Sequence, residues 1–310
     1  MNSIRYMLGL ALVASFFAAS AFAAKPKPMT PTVLPVERVI PMAMVFEPDL
    51  FVEQEDRLPA GMQTGVDLMM PNASVLSVGA GLAVTAISEG VSMIKARNDR
   101  KRLEQIEAAL GKHPWGTRLR EALQRELSAD GLGTGFSYSE EMPRVRVGAK
   151  TFDKPGRALG QLRGYVAFSP KLRVIRIFVI GAVEDRRVVR DSTLRLQMER
   201  IPHRKVYVEY LIRLPEDVGL SQKKRTLRWA AQDPAMFAQA IEQGIAETAR
   251  WVKLQLATPE RLQGEGEAQR FSAKFDARGK GRLLEDQGER AVLVAKDGSV
   301  YAVPKEMYAH

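Results

Sequence analysis

The sequence predicts an α+β fold in which helices cover an antiparallel β-sheet of about four to six strands, followed by a small C-terminal β meander. Two observations predict it. Apolar residues recur at a helical period through residues 100–129, whereas apolar and polar residues alternate through much of residues 162–213. Alternation is typical of strands with one covered face, which is common in antiparallel sheets. We therefore expect the helices to pack on the apolar face of that sheet.

Composition divides the chain into consecutive segments. These are a signal peptide at 1–23, a proline-rich extended lead-in at 24–41, an α+β domain at 42–258, a linker at 259–279 and a small β meander at 280–310. The α+β domain is expected to contain an uncharged small-residue helix at 73–94 and a basic helix at 95–110.

The N-terminus has the three parts of a secretory signal peptide. Arg5 supplies a positive charge, an apolar run occupies residues 8–17, and Ala21-Phe22-Ala23 is a small-x-small cleavage triplet. The apolar run is shorter than the ~20 residues that cross a bilayer. We expect cleavage after Ala23 or Ala24 and a periplasmic location, with or without peripheral association with a membrane. A retained membrane anchor is the alternative.

Helices are predicted where apolar residues share a face. Two short stripes indicate consecutive helices: Leu103, Ile106 and Leu110, then Leu119, Leu123 and Leu127. Gly111 is expected to end the first of them. Asp233 and Pro234 start a later helix, because aspartate is a good N-cap and proline fits the first helical position. The apolar stripe of that helix is the expected cover of the sheet and comprises Phe237, Ile241, Ile245, Thr248, Val252 and Leu256.

Strands are predicted at Met42 to Phe46 and, later in the chain, at 162–168, 172–183, 193–199 and 205–213. In the last of these, the covered face is expected to hold Val206, Val208, Tyr210 and Ile212. The meander is predicted from strands at 281–285, 290–295 and 299–303. Asp297-Gly298, between two apolar alternations, is a strong hairpin signal there.

The segment from Leu68 to Ser88 has no charged residue, and a dense positive charge follows it. Small residues at a spacing that lets two helix backbones approach closely are Gly79, Ala83, Ala86 and Gly90. The basic cluster, with five basic residues in eight, comprises Lys95, Arg97, Arg100, Lys101 and Arg102.

Three interpretations of this uncharged segment are open. It forms a buried, tightly packed helix; or an interfacial or self-associating helix whose basic continuation contacts anionic headgroups; or a transmembrane span. Pro71, Asn72 and Glu89 count against the span. The second interpretation implies a homo-oligomer formed through helix 73–94 and an anionic-surface contact at the basic cluster.

Charge and cysteine content restrict the partners. The formal net charge is +10 and there is no cysteine, which excludes disulfides, thiol nucleophiles and lipidation of a cysteine. Export, and the lack of interleaved aromatic residues on which bases stack, make nucleic acid an unexpected partner. We expect an envelope protein or an anionic envelope surface instead, and no cofactor.

No catalytic, cofactor-binding or metal-ligating residue is predicted. The three histidines, His113, His203 and His310, have no metal-ligand spacing, and Gly-x-Ser-x-Gly is absent. Ser221-Gln222-Lys223-Lys224 matches Ser-x-x-Lys, but the companion motifs Ser-Asp-Asn and Lys-Thr-Gly are missing, so we attribute the match to chance. The basic run Lys223-Lys224-Arg225 is expected in a solvated turn, with an anion-binding patch as the alternative.

The order of the elements resembles the small α/β domain of Gram-negative envelope proteins such as the curli-secretion lipoprotein and the TolB N-terminal domain. The resemblance runs from the strand at 42–46, through the helix that ends at 119–127, to the helix at 235–257. Residues 79–110 also resemble glycine-rich segments of uncharacterised envelope lipoproteins. The chain departs from these proteins by lacking a lipidation cysteine and by adding the C-terminal meander. The resemblance implies a role in envelope assembly or binding.

We therefore expect an exported envelope protein with a non-enzymatic binding, docking or assembly role at the periplasm or outer membrane. The contact region would be the uncharged helix and the basic cluster. The alternative is a periplasmic hydrolase that acts on an envelope component, with His113 or convergent carboxylates lining a pocket.

Overall fold

The computed structural model describes part of the chain. The described residues are 39–53, 97–128, 135–140, 144–147, 150–153, 158–190, 196–214, 219–271 and 279–307. The predicted signal peptide, the lead-in up to residue 38 and the uncharged segment 68–88 lie outside them, as do Gly79, Ala83, Ala86, Gly90 and Lys95.

Helices and strands alternate in blocks along the described chain. The helices are α1 (97–110), α2 (Trp115–Ser128), α3 (Gln222–Ala230) and α4 (Pro234–Ala257), with single 3-10 turns at Pro259–Arg261 and Lys305–Met307. The first strands are β1 (Ile40–Phe46), β2 (Phe51–Val52), β3 (Phe136–Ser139), β4 (Arg144–Val147), β5 (Lys150–Asp153) and β6 (Ala158–Phe168). The later strands are β7 (Val174–Arg190), β8 (Leu196–Arg213), β9 (Glu265–Phe271), β10 (Gly279–Asp286), β11 (Arg290–Val294) and β12 (Val300–Pro304).

Ten of the described strands form one sheet. Nine of them follow the order β3-β1-β6-β7-β8-β12-β11-β10-β9, and β2 pairs with β6 beyond the end of β1. β4 and β5 form a separate antiparallel pair. The predicted α+β class is confirmed. The sheet, however, is larger than the predicted four to six strands and is mixed, because β1 runs parallel to β3 and β6, and β12 runs parallel to β8.

The mixed directions follow from where the helices lie in the chain. Parallel neighbours need a long crossover connection, usually through a helix, whereas antiparallel neighbours need only a short turn. α1 and α2 lie between β1 and β6 in the chain, and α3 and α4 lie between β8 and β12. Both pairs of strands joined by these helical crossovers are parallel, and the hairpins β6–β7, β7–β8 and β11–β12 are antiparallel.

The main core lies between the sheet and the helices α2 and α4. The predicted stripe of α2 is buried at Leu119, Leu123 and Leu127, and every residue of the predicted α4 stripe is buried as well. Asp233 begins α4 as predicted, since its side chain accepts a hydrogen bond from Met236 N at 2.9 Å. The two helices run side by side in the same direction, because Arg118 pairs with Glu242 in their earlier parts and Lys253 Nζ lies 3.3 Å from Glu126 Oε1 in their later parts.

The strands predicted at 193–199 and 205–213 are one long strand, β8, paired with β7 along its whole length. The two predicted strands left a gap at 200–204, which contains Pro202, a residue that cannot donate to a ladder. Pairing shifts register between Val183 and Glu184, so that His203 is an extra residue in β8. Such a bulge is a position where a sheet tolerates proline, and the strand therefore continues through it.

The C-terminal strands also differ in placement from the simple meander. β10, β11 and β12 form the predicted antiparallel run, and β12 then pairs with β8 in the main sheet. Part of the segment predicted as a linker, residues 265–271, is the strand β9 at the edge of that sheet.

Candidate functional site

Four residues of the basic cluster are described, and all four lie on α1. Arg102 Nη1 is 2.8 Å from the buried Asp99 Oδ1, and Arg100 Nε is 3.0 Å from the exposed Glu104 Oε1. Arg97 and Lys101 are exposed and have no ion-pair partner within the described residues. Ile106 and Leu110 hold the helix against the core, so that these cations stand on a fixed element.

Two of the three histidines and the serine of the Ser-x-x-Lys match each contact a neighbour in the fold. The His113 ring lies 4.8 Å from the ring of the buried Trp115, and His203 Nε2 lies 3.2 Å from Asp185 Oδ2. Ser221 is the N-cap of α3, where its hydroxyl accepts from Lys224 N at 3.3 Å. The Ser-x-x-Lys match is therefore the start of a helix.

Within the described part of the chain, no group of three or more His, Cys, Asp or Glu side chains is arranged to hold a metal ion. Among the same residues, none of the helices has the length and apolar character needed to cross a membrane.

A buried charged cluster lies on the sheet face that points away from α2 and α4. Side chains alternate between faces along a strand, and the neighbours Val166, Ile177 and Val208 belong to the helix-side core. The cluster, here called the Arg176 cluster, comprises Glu53, Tyr165, Arg176, Tyr207 and Glu209.

Arg176 joins the two carboxylates of this cluster. Its Nη1 donates to Glu53 Oε2 at 2.9 Å, and its Nε lies 3.2 Å from Glu209 Oε1. The Tyr165 hydroxyl donates to Glu53 Oε1 at 2.7 Å, and the Tyr207 hydroxyl donates to Glu209 Oε2 at 3.4 Å. The cluster thus ties the end of β2 to the neighbouring strands β6, β7 and β8.

A row of aromatic rings lies on the same face of the sheet as the charged groups, and two of its rings, Tyr165 and Tyr207, belong to the Arg176 cluster. Neighbouring ring centroids are 5.3 Å apart for Phe51–Tyr165, 5.1 Å for Tyr165–Phe178, 5.1 Å for Phe178–Tyr207 and 5.5 Å for Tyr207–Tyr301. The charged side chains beside these rings keep 20% or less of their surface exposed. Low exposure strengthens each charged contact and raises the free-energy cost of leaving one charge without its partner.

Burial sets the protonation of these groups. Burial raises the pKa of Glu209, the charge of Arg176 lowers it, and the charge of Glu53 raises it, with a net raised pKa. Burial alone would lower the pKa of Arg176, but the charges of Glu209 and Glu53 outweigh it and raise the pKa. Burial also raises the pKa of Tyr165 and Tyr207, so both phenols remain protonated donors. The net raised pKa of Glu209 indicates that the charge of Arg176 offsets the burial of this carboxyl only in part.

The raised pKa of Glu209 predicts a pH dependence of stability. A carboxyl with a higher pKa in the folded state stabilises the fold fully below its unfolded pKa, and that contribution is lost as the pH rises through the folded pKa. The ordinary pKa is 4.5. From that pH upwards, we expect the unfolding free energy of the native protein to fall relative to that of Glu209→Gln, which cannot titrate.

Urea denaturation of both proteins over a pH series measures this difference. A difference that stays constant, or that rises with pH, would mean that Arg176 compensates Glu209 fully.

Sequence reasoning missed the Arg176 cluster, although a signal was present. Arg176 interrupts the apolar run 174–183, and Glu209 interrupts the run 206–212, each as a lone charge. Charged residues are almost never buried unless they are paired. Two lone opposite charges in two apolar strands indicate a buried pair, although not with Glu53, which the sequence places in an acidic stretch far from both.

The basic run Lys223-Lys224-Arg225 lies on α3 and not in the expected turn. Arg225 is buried, and its Nη1 donates to the Lys171 carbonyl oxygen at 3.1 Å. Lys223 and Lys224 are exposed. The run is thus divided between a residue that anchors α3 and two cations on its outer side.

No family model, no curated protein and no solved structure matches this chain.

Proposed function

We propose that this protein is exported to the cell envelope and works by docking on an anionic envelope surface rather than by catalysis. One observation carries the proposal. Arg97, Arg100 and Lys101 are exposed on α1, which Ile106 and Leu110 pack against the core. The signal-peptide pattern and the resemblance to envelope proteins support the location. The proposed residence is the periplasm or the periplasmic side of the outer membrane.

The electrostatics favour an anionic surface as the partner. Each Lys or Arg near such a surface contributes about 1 kcal/mol, and the attraction weakens with salt. The ion pair between Arg100 and Glu104 is exposed and therefore weak, so Arg100 can exchange that partner for a headgroup phosphate. Arg102 differs, because it is half-buried and pairs with the buried Asp99, so we leave it unchanged in the test.

Replacement of Arg97, Arg100 and Lys101 by Ser should move the protein from the membrane fraction to the soluble fraction. The loss of about 3 kcal/mol predicts membrane association weaker by roughly 100-fold. Cell fractionation at low salt, followed by high-salt and carbonate washes, measures it.

The matched control replaces Arg270, Lys280 and Lys296 by Ser. These three residues are also exposed, and their replacement removes the same charge from the opposite part of the sheet. Equal redistribution of the two variants would indicate only a response to net charge and would reject α1 as the contact.

A further inference from the structure

We propose that the corner formed by α3 and the first turn of α4, here called the α3–α4 corner, is a docking tip for an anionic phospholipid surface, in which Leu227 and Met236 enter the headgroup region. The inference rests on the proposed function and deepens it, because it names the chemistry of the surface and a second point of contact.

α3 has a buried side and a strongly basic outer side. Residues three and four apart share a helix face. Arg225, Thr226 and Trp229 form the buried side. The outer side holds Lys223, Lys224, Leu227 and Arg228, all exposed. A large apolar side chain therefore lies among three cations on the surface of a nine-residue helix.

The anchoring of α3 fixes this outer side relative to the sheet. Trp229 Nε1 donates to the Leu172 carbonyl oxygen at 2.9 Å, and Gln222 Nε2 donates to the Pro170 carbonyl oxygen at 2.9 Å. With the Arg225 contact to Lys171, three side chains bind α3 to the β6–β7 turn. A surface held in this way loses little conformational freedom when it binds a partner.

Met236 continues the apolar surface onto α4. Leu227 is 49% exposed and Met236 71%, and with Val39 at 66% they are the large hydrophobic residues that the described chain exposes. Both are kept outward by buried aromatic neighbours, Trp229 on α3 and Phe237 on α4, whose ring centroids are 6.0 Å apart. The packing that fixes the corner thus directs two apolar side chains to its outer surface.

Among the described residues, the charges around the corner are mainly positive. Lys171 is exposed on the β6–β7 turn that α3 contacts. The acidic residue of the described corner, Asp233, caps α4 through Met236 N. The acidic residues nearest before α3 in the sequence, Glu216 and Asp217, lie outside the described residues.

This combination fits the interface of an anionic membrane. Apolar side chains on a basic amphipathic element enter the boundary between headgroups and acyl chains, while Lys and Arg extend their charges to the phosphates. An acidic protein would engage the cations, but it would give no general reason for two fixed apolar side chains between them. We therefore assign phospholipid as the partner.

The test uses the protein purified from an exporting host and vesicles of equal parts phosphatidylcholine and phosphatidylglycerol. We expect binding to these vesicles and not to pure phosphatidylcholine. The double variant Leu227→Asn/Met236→Gln should bind at least about 10-fold more weakly, because burial of two apolar side chains is lost. Lys223→Ser/Lys224→Ser should also weaken binding by at least about 10-fold. Val39→Asn, an equally exposed position elsewhere, should bind as the native protein does.

Site-specific labelling separates insertion from adsorption. The chain has no cysteine, so Met236→Cys and Val39→Cys each give one site for an environment-sensitive fluorophore. We expect the fluorescence to increase and shift to the blue on the anionic vesicles for Met236→Cys alone.

The outcomes distinguish the inference from the proposed function. Native-like binding by Leu227→Asn/Met236→Gln, with no fluorescence response at position 236, overturns the α3–α4 corner. The proposed function then stands if the Arg97, Arg100 and Lys101 variant still loses binding. Failure of the native protein to bind anionic vesicles overturns the lipid assignment. If fractionation nevertheless depends on Leu227 and Met236, the partner is a protein.

Discussion

Replacement of Arg176 by Met should lower the free energy of unfolding by about 3–5 kcal/mol, because it leaves Glu53 and Glu209 buried without their shared cation. Methionine keeps much of the length and apolar volume of the side chain, so the loss arises mainly from the charge and its hydrogen bonds. Chemical denaturation monitored by tryptophan fluorescence measures it. A loss of this size is a large fraction of the stability of a typical domain.

An exposed ion pair supplies the control. Arg100→Met removes the cation from Glu104 on the surface of α1 and should change stability by no more than about 0.5 kcal/mol. The double variant Arg176→Met/Glu209→Gln should recover part of the loss, because it removes the charge of one of the two carboxylates that Arg176 contacts. Equal small effects of Arg176→Met and Arg100→Met would show that the Arg176 cluster is hydrated and energetically ordinary.

Local patterns predicted the helices that cover the sheet, since an amphipathic stripe and its cap are encoded within a few turns. Asp233 and the stripe that includes Ile241 and Val252 behave as predicted. Gly111 ends α1 as expected, and its φ of +87° is a conformation that glycine adopts at little cost. These features depend on residues that are close together in the chain, so they can be predicted from a single sequence.

Strand order and direction depend on contacts that the sequence does not display. Alternation reveals which residues share a face, but the same alternation fits a parallel or an antiparallel neighbour. The parallel placement of β12 on β8 joins residues such as Val300 and Val208, which are separated by two helices and three strands. The bulge at His203 also depends on the partner strand, because only the pairing with β7 shows which residue of β8 is extra.

The candidate sites also differ in whether they depend on residues that are close in the sequence or far apart. The four basic residues of α1 could be predicted as a cluster, because they lie close together in the chain. The Arg176 cluster joins Glu53 to a residue 123 positions away, and Tyr165 to Glu53 over 112 positions. No local pattern encodes such a meeting. The α3–α4 corner could be predicted only in part. Its basic run is evident in the sequence, whereas the exposure of Leu227 and Met236 depends on the packing of Trp229 and Phe237.

Replacement of Gly116 by Ala should destabilise the protein, against the ordinary preference of a helix for alanine. Gly116 is the second residue of α2, and its N–H donates to the Pro48 carbonyl oxygen at 3.1 Å. A Cβ atom at this position would lie 1.7 Å from the Glu47 carbonyl oxygen and 3.2 Å from Pro48 Cα. The added Cβ would clash with backbone atoms and not with a flexible side chain. The clash can therefore be removed only if the chain at the end of β1 and α2 move apart.

Two opposing free-energy contributions determine whether Gly116→Ala stabilises or destabilises the protein. Alanine gains up to about 1 kcal/mol over glycine in a helix, whereas forced repacking costs about 1–3 kcal/mol and more when the backbone must shift. We expect a net loss of about 2 kcal/mol, measured by chemical denaturation. Gly135→Ala is the matched control, because its Cβ would lie 3.6 Å from Val39 Cγ2, an ordinary contact, and its stability should remain within about 1 kcal/mol of native. Equal stability of the two variants would mean that residues 47–50 yield to α2 without cost, and that close packing at Gly116 does not determine where α2 sits on the sheet.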